Sequence, residues 1–377
     1  MRITIILGPF YPVPTVLGGA VEKVHLTLAA EYARAGHHVT MISRRFDAFP
    51  AEETIAGVHH MRIASYDRRP SLGVNLFLSF LYALRAARAM PISDITVTNS
   101  TFLPLILPKR KAGKIYDHVA RYPKGQFFLY RRADRFQAVS TVVADAIRIQ
   151  TPGRAADVVV IANPISEKYF SSTSREAKAP TVLFVGRLAR EKGVGNLIRA
   201  FSNLMSESGP DWKLRIVGPH AFEQGGDGAP FLNELKELAA PLGSRCEFVG
   251  PIFDEDRLIR EYASASIFVY PSVAERGEAF GLAPLEAMAA GCTTVVSDLR
   301  CFDDFVVDGE NALKFDHRRP EPQKQLEAAL ARLINDQRLA GRLAVAGTAT
   351  AQKFRTSVIA GKMLGDFQAL LDPRMAA

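Results

Sequence analysis

Residues 186–193, with the sequence GRLAREKG, carry two cations in a glycine-bounded loop. An apolar, β-rich run precedes the loop and a stretch with helical periodicity follows it, so Arg187 and Lys192 are predicted to flank a helix N-terminus at a strand end. A guanidinium, an ammonium and a helix N-terminus together can neutralise a diphosphate. The loop therefore indicates a diphosphate site, with a charged surface loop as the alternative.

Two carboxylates eight residues apart follow a second predicted strand, residues 266–270. A helix is predicted to begin near Pro284, because proline is favoured at the first helical position. Glu278 then lies in the loop, within reach of a sugar hydroxyl, and Glu286 lies in the first helical turn, where it can accept from a ribose diol. A loop carboxylate and a glutamate that complements the helix dipole are the alternative interpretation.

A third candidate site is the pair Gly18-Gly19, which precedes a predicted helix and is followed by Glu22. Glycines at this position let the backbone approach a ligand closely, and the N–H groups of the first turn favour an anion. The pattern is weak alone, since glycines precede many helices. A phosphate-binding and a purely structural role both remain open.

Both halves of the chain begin with the same order of strand, loop, helix and strand. Strands that alternate with helices at this spacing predict parallel, doubly wound sheets, so the fold class is α/β with two Rossmann-like domains facing across a cleft. The polar segment between Asn163-Pro164 and Ala179 resembles a linker. The predicted elements are 2–7, 20–35 and 38–43 in the first half, and 181–185, 194–205 and 214–217 in the second.

The composition of the 377 residues, with 48% hydrophobic and 23% charged residues, excludes a disordered chain. Three cysteines without a CxxC spacing exclude a disulfide framework and a cysteine zinc site, so reduced thiols in a cytoplasmic protein are expected. The net charge is +8, and residues 1–164 hold 21 Lys and Arg against 11 Asp and Glu. Such a basic face attracts phosphate in a membrane, a nucleic acid or a substrate, unless it is merely a solvated surface.

The apolar run from Leu72 to Leu84 is too short to span a bilayer and is followed by Arg85 and Arg88. Two interpretations remain open: a helix buried in the core, or a helix that rests on a membrane surface. The N-terminal sequence MRITIIL is interpreted as a first strand and not as a signal peptide.

The two motifs above, GRL…EKG and Glu278-x7-Glu286 followed by AMAAG, resemble those of the retaining glycosyltransferases of family four. The similarity extends over most of the chain, through Gly-Gly-x-x-Glu, Val139-Ser140, Asn163-Pro164 and Asp308-Gly309-Glu310-Asn311. The resemblance implies a GT-B fold, with an acceptor-binding domain at 1–164 onto which 356–377 cross back. It implies a nucleotide-sugar-binding domain at 165–355.

The resemblance also implies roles for individual residues. Glu278 and His118 would be catalytic residues that contact the sugar, and Arg121 and Lys124 would face the cleft or the acceptor. The implied donor-binding residues are Gly18, Gly19, Arg187, Lys192, Phe280, Gly281, Leu282 and Glu286.

The implied reaction moves a hexose from a UDP- or GDP-hexose to a hydroxyl with retention of anomeric configuration. The expected acceptor is a lipid-linked saccharide or oligosaccharide of lipopolysaccharide or exopolysaccharide biosynthesis, reached from the cytoplasm or from the inner face of the cell membrane. No cofactor or metal is expected, because Arg187 and Lys192 can take the place of a divalent ion.

Three other functional classes are alternatives to a retaining glycosyltransferase. A nucleotide-sugar epimerase or hydrolase on the same scaffold is the alternative function. A nicotinamide dehydrogenase is disfavoured because neither opening strand is followed by GxGxxG with its acidic partner. A nucleic-acid binder is not expected, because no nucleic-acid-binding motif accompanies the basic half of the chain.

Overall fold

The computed structural model describes residues 1–16, 19–171, 178–205 and 211–372. The chain forms two compact units, Met1–Pro164 with Thr356–Ala377, and Ile165–Arg355. Each is an α/β unit built on one sheet. Among the described residues, no helix has both the length and the apolar character needed to cross a membrane.

The first unit contains an eight-stranded sheet with helices between its strands. Its strands are β1 (Arg2–Ile6), β2 (His38–Arg44), β3 (Glu52–Ile55), β4 (Val58–Ile63), β5 (Ile95–Thr98), β6 (Lys114–Val119), β7 (Arg135–Ala138) and β8 (Val158–Val160). Its helices are α1 (Ala20–Arg34), α2 (Leu72–Ala89), α3 (Leu103–Ile106), α4 (Lys109–Ala112) and α5 (Thr141–Gln150), with the chain's last helix, Thr356–Leu371.

The strands of the first sheet lie in the order β3-β4-β2-β1-β5-β6-β7-β8. All neighbours are parallel except β3 and β4, which are antiparallel. The order reverses between β1 and β5, so the segments that leave β1 and β5 diverge at that point. Ligands of doubly wound sheets bind at such reversals, beyond the carboxyl ends of the strands.

Helix α2 differs from a core helix over its first half. Leu72 and Phe77 are 74% and 61% exposed, and Val74 and Leu76 are also exposed, whereas Tyr82, Ala83 and Ala86 are buried. The helix packs on the unit from about Phe80 onward, where the Phe80 ring meets the Phe102 ring edge-on. The interpretation of Leu72 to Leu84 as a buried core helix is therefore wrong for its first half, because no described element covers that face.

The second unit contains a six-stranded, fully parallel sheet. Its strands are β9 (Ala179–Val185), β10 (Lys213–Val217), β11 (Cys246–Gly250), β12 (Ala265–Tyr270), β13 (Thr293–Ser297) and β14 (Leu313–Phe315). Its helices are α6 (Lys168–Ser171), α7 (Val194–Leu204), α8 (Gly228–Ala239), α9 (Glu255–Ser264), α10 (Leu282–Ala289), α11 (Pro322–Asn335) and α12 (Gln337–Ala351), after which the last helix of the chain is α13.

The second sheet has the order β11-β10-β9-β12-β13-β14. The chain builds outward from β9 in one direction and then outward from β12 in the other, so the order reverses between these two strands. The loops that follow β9 and β12 therefore border the crevice where a doubly wound sheet binds its ligand. These loops contain the two motifs that the sequence singles out.

Helix α13 belongs to the first unit although it is last in the chain. Phe367 packs edge-on against Tyr32 of α1 and Tyr116 of β6, with ring centroids 5.7 and 4.8 Å apart. The three aromatic side chains are fully buried. Burial of side chains this large is worth about 1.5–3 kcal/mol each, so α13 is an integral part of the first core.

Candidate functional site

In the second unit the loop after β9 is held against the loop after β12. The carbonyl of Glu191 accepts from the backbone N–H of Val273 at 2.8 Å and from Ser272 Oγ at 3.2 Å. Ser272 is itself fully buried. These bonds fix the cationic loop at the strand reversal.

Lys192 and Glu278 form a buried ion pair at this point. The distance from Lys192 Nζ to Glu278 Oε2 is 2.6 Å, and the two side chains are only 6% and 11% exposed. Tyr270 Oη donates to the same carboxylate oxygen at 3.1 Å, and the Lys192 ammonium lies 5.5 Å from the centre of the Tyr270 ring. Burial is the main cause that raises the pKa of Tyr270, with the Glu278 carboxylate next. One cation and one carboxylate are thus held in direct contact at the strand reversal.

Glu275, the other glutamate of this loop, has a different position. Its side chain is half exposed, and its Oε1 lies 2.8 Å from Nε2 of His317. Among the described residues it makes no ion pair with Lys192. Of the two glutamates, Glu278 is the one that contacts Lys192, and its predicted contact with a sugar stays a prediction.

Arg187, at the start of the cationic loop, is bound by neighbours on the protein. Its Nη2 lies 2.9 Å from Glu191 Oε1, and its Nη1 donates to the carbonyl of Gly225 at 2.5 Å. The side chain is 41% exposed. An anionic ligand therefore reaches the guanidinium only by replacing or sharing these partners.

Helix α10 begins two residues earlier than the sequence analysis predicts. Gly281 adopts a positive φ of 91° at the N-cap, and a Cβ there would lie 2.4 Å from the Phe302 ring, so only glycine fits. The helix starts at Leu282 and Pro284 occupies its third position, where the N–H that proline lacks has no helical partner. Phe280, just before the cap, is buried against Phe305.

Because α10 starts early, Glu286 lies in its second turn and not in its first. Its Oε2 accepts from Tyr262 Oη at 3.0 Å. Tyr262 and Tyr169 are fully buried, and burial, followed by the charge of Glu286, raises the pKa of both phenols. Two neutral tyrosines thus orient the carboxylate that is predicted to meet a ribose.

In the first unit His118 is buried near the carboxyl end of β6. Its Nδ1 bonds Gln137 Oε1 on the neighbouring strand β7, and Gln137 Nε2 donates to the carbonyl of Ile161. The His25 ring on α1 meets the His118 ring edge-on, with centroids 4.5 Å apart. Burial lowers the pKa of His118 to about 4, so the ring is neutral at physiological pH.

Gly19 precedes α1 with a φ of 114°. A carboxylate, that of Glu22, lies beside the glycine for which the sequence predicts a phosphate contact. A Cβ on Gly19 would lie 2.5 Å from Glu22 Oε2, so the Glu22 side chain folds back over the helix N-terminus. Burial raises the pKa of Glu22, opposed by its own backbone N–H and by Arg121. The contact with Glu22 is enough to require glycine here, and the phosphate role of Gly19 stays a prediction. Gly18 lies outside the described residues.

Arg121 and Lys124 lie in the loop after β6, and both are exposed. Arg121 is close enough to Glu22 to lower the pKa of that carboxyl. Their predicted contact with an acceptor or with the cleft stays a prediction.

The chain contains the sequence Asp254-Glu255-Asp256, an Asp-x-Asp pattern of the kind that binds a metal ion in some enzymes, which the sequence-based expectation of no metal did not take into account. In the structure Asp254 caps α9 by accepting from the backbone N–H of Arg257 at 2.6 Å. Asp256 pairs with Lys168 at 2.9 Å. This Asp-x-Asp sequence therefore lies at the start of α9, where Asp254 caps the helix.

Several residues that surround the candidates were not predicted from the sequence. Gln137 is a fully buried polar side chain between the apolar Phe136 and Ala138 of β7, which is the signal that could have drawn attention to it. The other missed neighbours are His25, Tyr169, Tyr262 and Tyr270.

Comparisons with known proteins support this picture. Residues 165–350 match the family model described as glycosyl transferases group 1. The phosphatidyl-myo-inositol mannosyltransferase of Mycobacterium tuberculosis is 30% identical over 229 residues, which are 58% of this chain and 56% of that protein. The lipopolysaccharide core biosynthesis mannosyltransferase LpsB of Rhizobium meliloti is 28% identical over 261 residues, 65% and 68% of the two chains. The chain spans about half the length of the first of these relatives.

The sucrose-phosphate synthase of Thermosynechococcus elongatus has a similar solved structure, with a TM-score of 0.80. The likeness covers 99% of each chain at 23% identity. It confirms the predicted GT-B fold class.

Proposed function

Because residues 165–350 match the group 1 glycosyl transferases, we propose that the chain transfers a hexosyl group from a nucleoside diphosphate hexose to an acceptor hydroxyl. The observation that carries the proposal is the buried pair of Lys192 and Glu278 at the strand reversal of the second sheet. An ammonium and a carboxylate in one water-poor position suit a substrate with a phosphate beside sugar hydroxyls.

The proposed donor binds along the loops after β9 and β12. Lys192 and Arg187 meet the diphosphate, together with the N–H groups of the α10 N-terminus behind Gly281. Glu286, oriented by Tyr262, accepts from the ribose diol. Glu278 accepts from hydroxyls of the hexose. Two relatives are named mannosyltransferases, so a mannosyl donor is the first candidate. UDP- and GDP-hexoses are the donors to be compared.

The proposed transfer retains the anomeric configuration and uses no protein nucleophile. The acceptor oxygen forms the new bond to the anomeric carbon as the bond to the diphosphate breaks, and the departing phosphate oxygen takes the acceptor proton. Glu278 is held by Lys192 and by Tyr270, which leaves its carboxylate a poor nucleophile and a good hydrogen-bond acceptor. Lys192 and Arg187 stabilise the charge that grows on the diphosphate.

Metal independence is part of the proposal, because these two cations supply the charge that a divalent ion would otherwise supply. We expect hexosyl transfer to keep its rate after dialysis against EDTA. A rate that falls on chelation and returns with Mg²⁺ or Mn²⁺ would contradict this part of the mechanism.

The proposed acceptor is a lipid-linked saccharide of lipopolysaccharide or exopolysaccharide synthesis, approached at an anionic membrane surface. The exposed apolar half of α2, including Leu72 and Phe77, supports this, as do the exposed Arg68 and Arg69 before it. Such a segment binds a bilayer through both apolar burial and charge.

Co-sedimentation with vesicles tests the membrane contact. The protein should bind vesicles with anionic phospholipid more tightly than zwitterionic ones, and Phe77→Ser should weaken binding about tenfold. Ile149→Ser is the matched control, because Ile149 is 80% exposed on α5 of the same unit. Equal loss in both variants, or no binding by the wild type, would exclude α2 as the membrane contact.

Release of nucleoside diphosphate from a panel of UDP-, GDP- and ADP-hexoses, with and without membrane lipid extract, tests the function. Release from one donor that rises with extract supports a transferase with a lipid-borne acceptor. Release at the same rate with and without extract would favour the hydrolase. Conversion of the donor to an epimer would favour the epimerase. Glu278→Gln should abolish extract-dependent release, and Glu275→Gln should not.

A further inference from the structure

A chain of hydrogen bonds in the first unit determines which nitrogen of His118 carries the proton. It begins at the carbonyl oxygen of Ile161, which can only accept. The side-chain nitrogen of Gln137 faces this oxygen and donates to it. The opposite orientation of the amide would set two oxygens against each other, so the amide oxygen of Gln137 must face His118.

The same reasoning fixes the imidazole. The Gln137 oxygen only accepts, and His118 Nδ1 lies against it, so Nδ1 must carry a proton. The pKa of about 4 leaves a single proton on the ring at physiological pH. Nε2 therefore holds a lone pair.

We propose that Gln137 is a positioning residue that holds His118 in the Nδ1–H tautomer, so that Nε2 accepts a hydrogen bond from a hydroxyl of the substrate. The inference rests on the proposed function for the identity of that substrate. It assigns His118 to a hydroxyl group and excludes a phosphate oxygen as its partner, because a phosphate oxygen has no proton to donate.

The burial of Nε2 and its unfilled hydrogen-bonding capacity support this assignment. The atom is fully buried and has no hydrogen-bond partner among the residues that the structure describes. A buried acceptor without a donor is costly, and a sugar hydroxyl would remove that cost. His118 and Gln137 are direct register partners on β6 and β7, so their side chains leave the sheet on the same face and lie side by side.

Burial disfavours charge on the ionisable groups that contact His118 or lie next to it, so they do not favour a second proton on its ring. His25 packs on the ring from α1, and burial together with His118 lowers the pKa of His25 well below its ordinary value. Asp117, the preceding residue of β6, is buried, which raises the pKa of its carboxyl. Glu22 on α1 also has a raised pKa, and Arg121 in the loop after β6 lies near it.

Nitrogen NMR of the full-length enzyme labelled with ¹⁵N-histidine tests the tautomer directly and without substrate. The His118 signals are assigned by their absence from His118→Asn. At pH 7 we expect a pyrrole-like Nδ1 and a pyridine-like Nε2. A pyrrole-like Nε2 would overturn the proposal, whether or not any donor is turned over.

The variant Gln137→Met tests the positioning role. It should mix the two tautomers in the spectrum and lower kcat/KM for the active donor by roughly tenfold. Thr96→Val is the matched control, since it also removes a buried side-chain bond to a backbone carbonyl, that of Ala112. A Gln137→Met enzyme with an unmixed Nδ1–H signal, or kinetics equal to those of Thr96→Val, would show that Gln137 does not set the tautomer.

The two experiments separate this inference from the proposed function. An Nδ1–H signal in an enzyme that turns over no donor would leave the tautomer correct and the function wrong. A transferase with a protonated Nε2 would leave the function correct and the tautomer wrong.

Discussion

Replacement of Lys192 by methionine should destabilise the second unit strongly. Methionine fills a similar volume but leaves the Glu278 carboxylate, only 11% exposed, with Tyr270 Oη as a donor and without its cation. Loss of one partner of a buried ion pair costs about 3–5 kcal/mol. A kilocalorie shifts the melting temperature of a unit this size by about 2–4 °C, so a fall of roughly 6–20 °C is expected.

Urea unfolding at 25 °C, followed by circular dichroism, is the assay for the free energy of unfolding. Glu278→Gln should cost less than Lys192→Met, because the amide oxygen still accepts from the ammonium, which also lies over the Tyr270 ring. The double variant should be more stable than the sum of the two losses predicts, since no uncompensated charge remains. Glu234→Gln is the control, because it weakens an exposed pair with Arg190 in the same unit and should leave the midpoint unchanged.

Two results would refute the reasoning. One is a Lys192→Met enzyme as stable as the wild type, which would mean that solvent or a rearranged partner already compensates Glu278. The other is strict additivity in the double variant, which would mean that the two side chains do not interact. Activity must be compared well below the melting temperature of each variant, so that loss of transfer is not confused with loss of fold.

Three further outcomes are expected. Gly281→Ala should lower the free energy of unfolding by about 1–3 kcal/mol in urea titrations, because its backbone is strained for alanine and its Cβ meets Phe302; unchanged stability would contradict the cap geometry. Tyr262→Phe should weaken nucleoside diphosphate binding about 2- to 12-fold by calorimetry, since it removes the bond to Glu286, and equal affinity would argue against a ribose contact. His118 binds its proton less readily when folded, so its contribution to stability is present above pH 6.5 and is lost as the pH falls towards 4. His118→Asn should therefore flatten the dependence of stability on pH in that window, and an unchanged slope would count against a neutral, buried ring.

The candidate residues of the second unit were largely predictable from sequence. Strand, loop and helix signals placed Lys192 and Glu278 at the ends of parallel strands, where side chains distant in sequence meet. Their direct pairing was not predictable, because it depends on β9 and β12 being neighbours. The start of α10 was predicted wrongly from Pro284, since a positive φ at Gly281 is a property of the folded loop.

The candidate residues of the first unit were less predictable from sequence. Gln137 acts on His118 through the register of two strands, and no local pattern reports which residues of two strands face each other. The exposure of the first half of α2 was equally unpredictable from sequence, because an apolar helix has the same composition whether or not another element covers it. Burial depends on the neighbours that the fold supplies.

The return of α13 to the first unit has a consequence for synthesis on the ribosome. The core around Tyr116 and Tyr32 lacks Phe367 until α13 has been made, after the second unit. Roughly 190 residues of the second unit emerge in between, which takes about 10–40 s at typical bacterial rates. During that interval the growing chain displays an unfinished aromatic surface. We therefore expect chaperones to bind mainly the first unit during synthesis. The second unit should reach its native state before the first unit does.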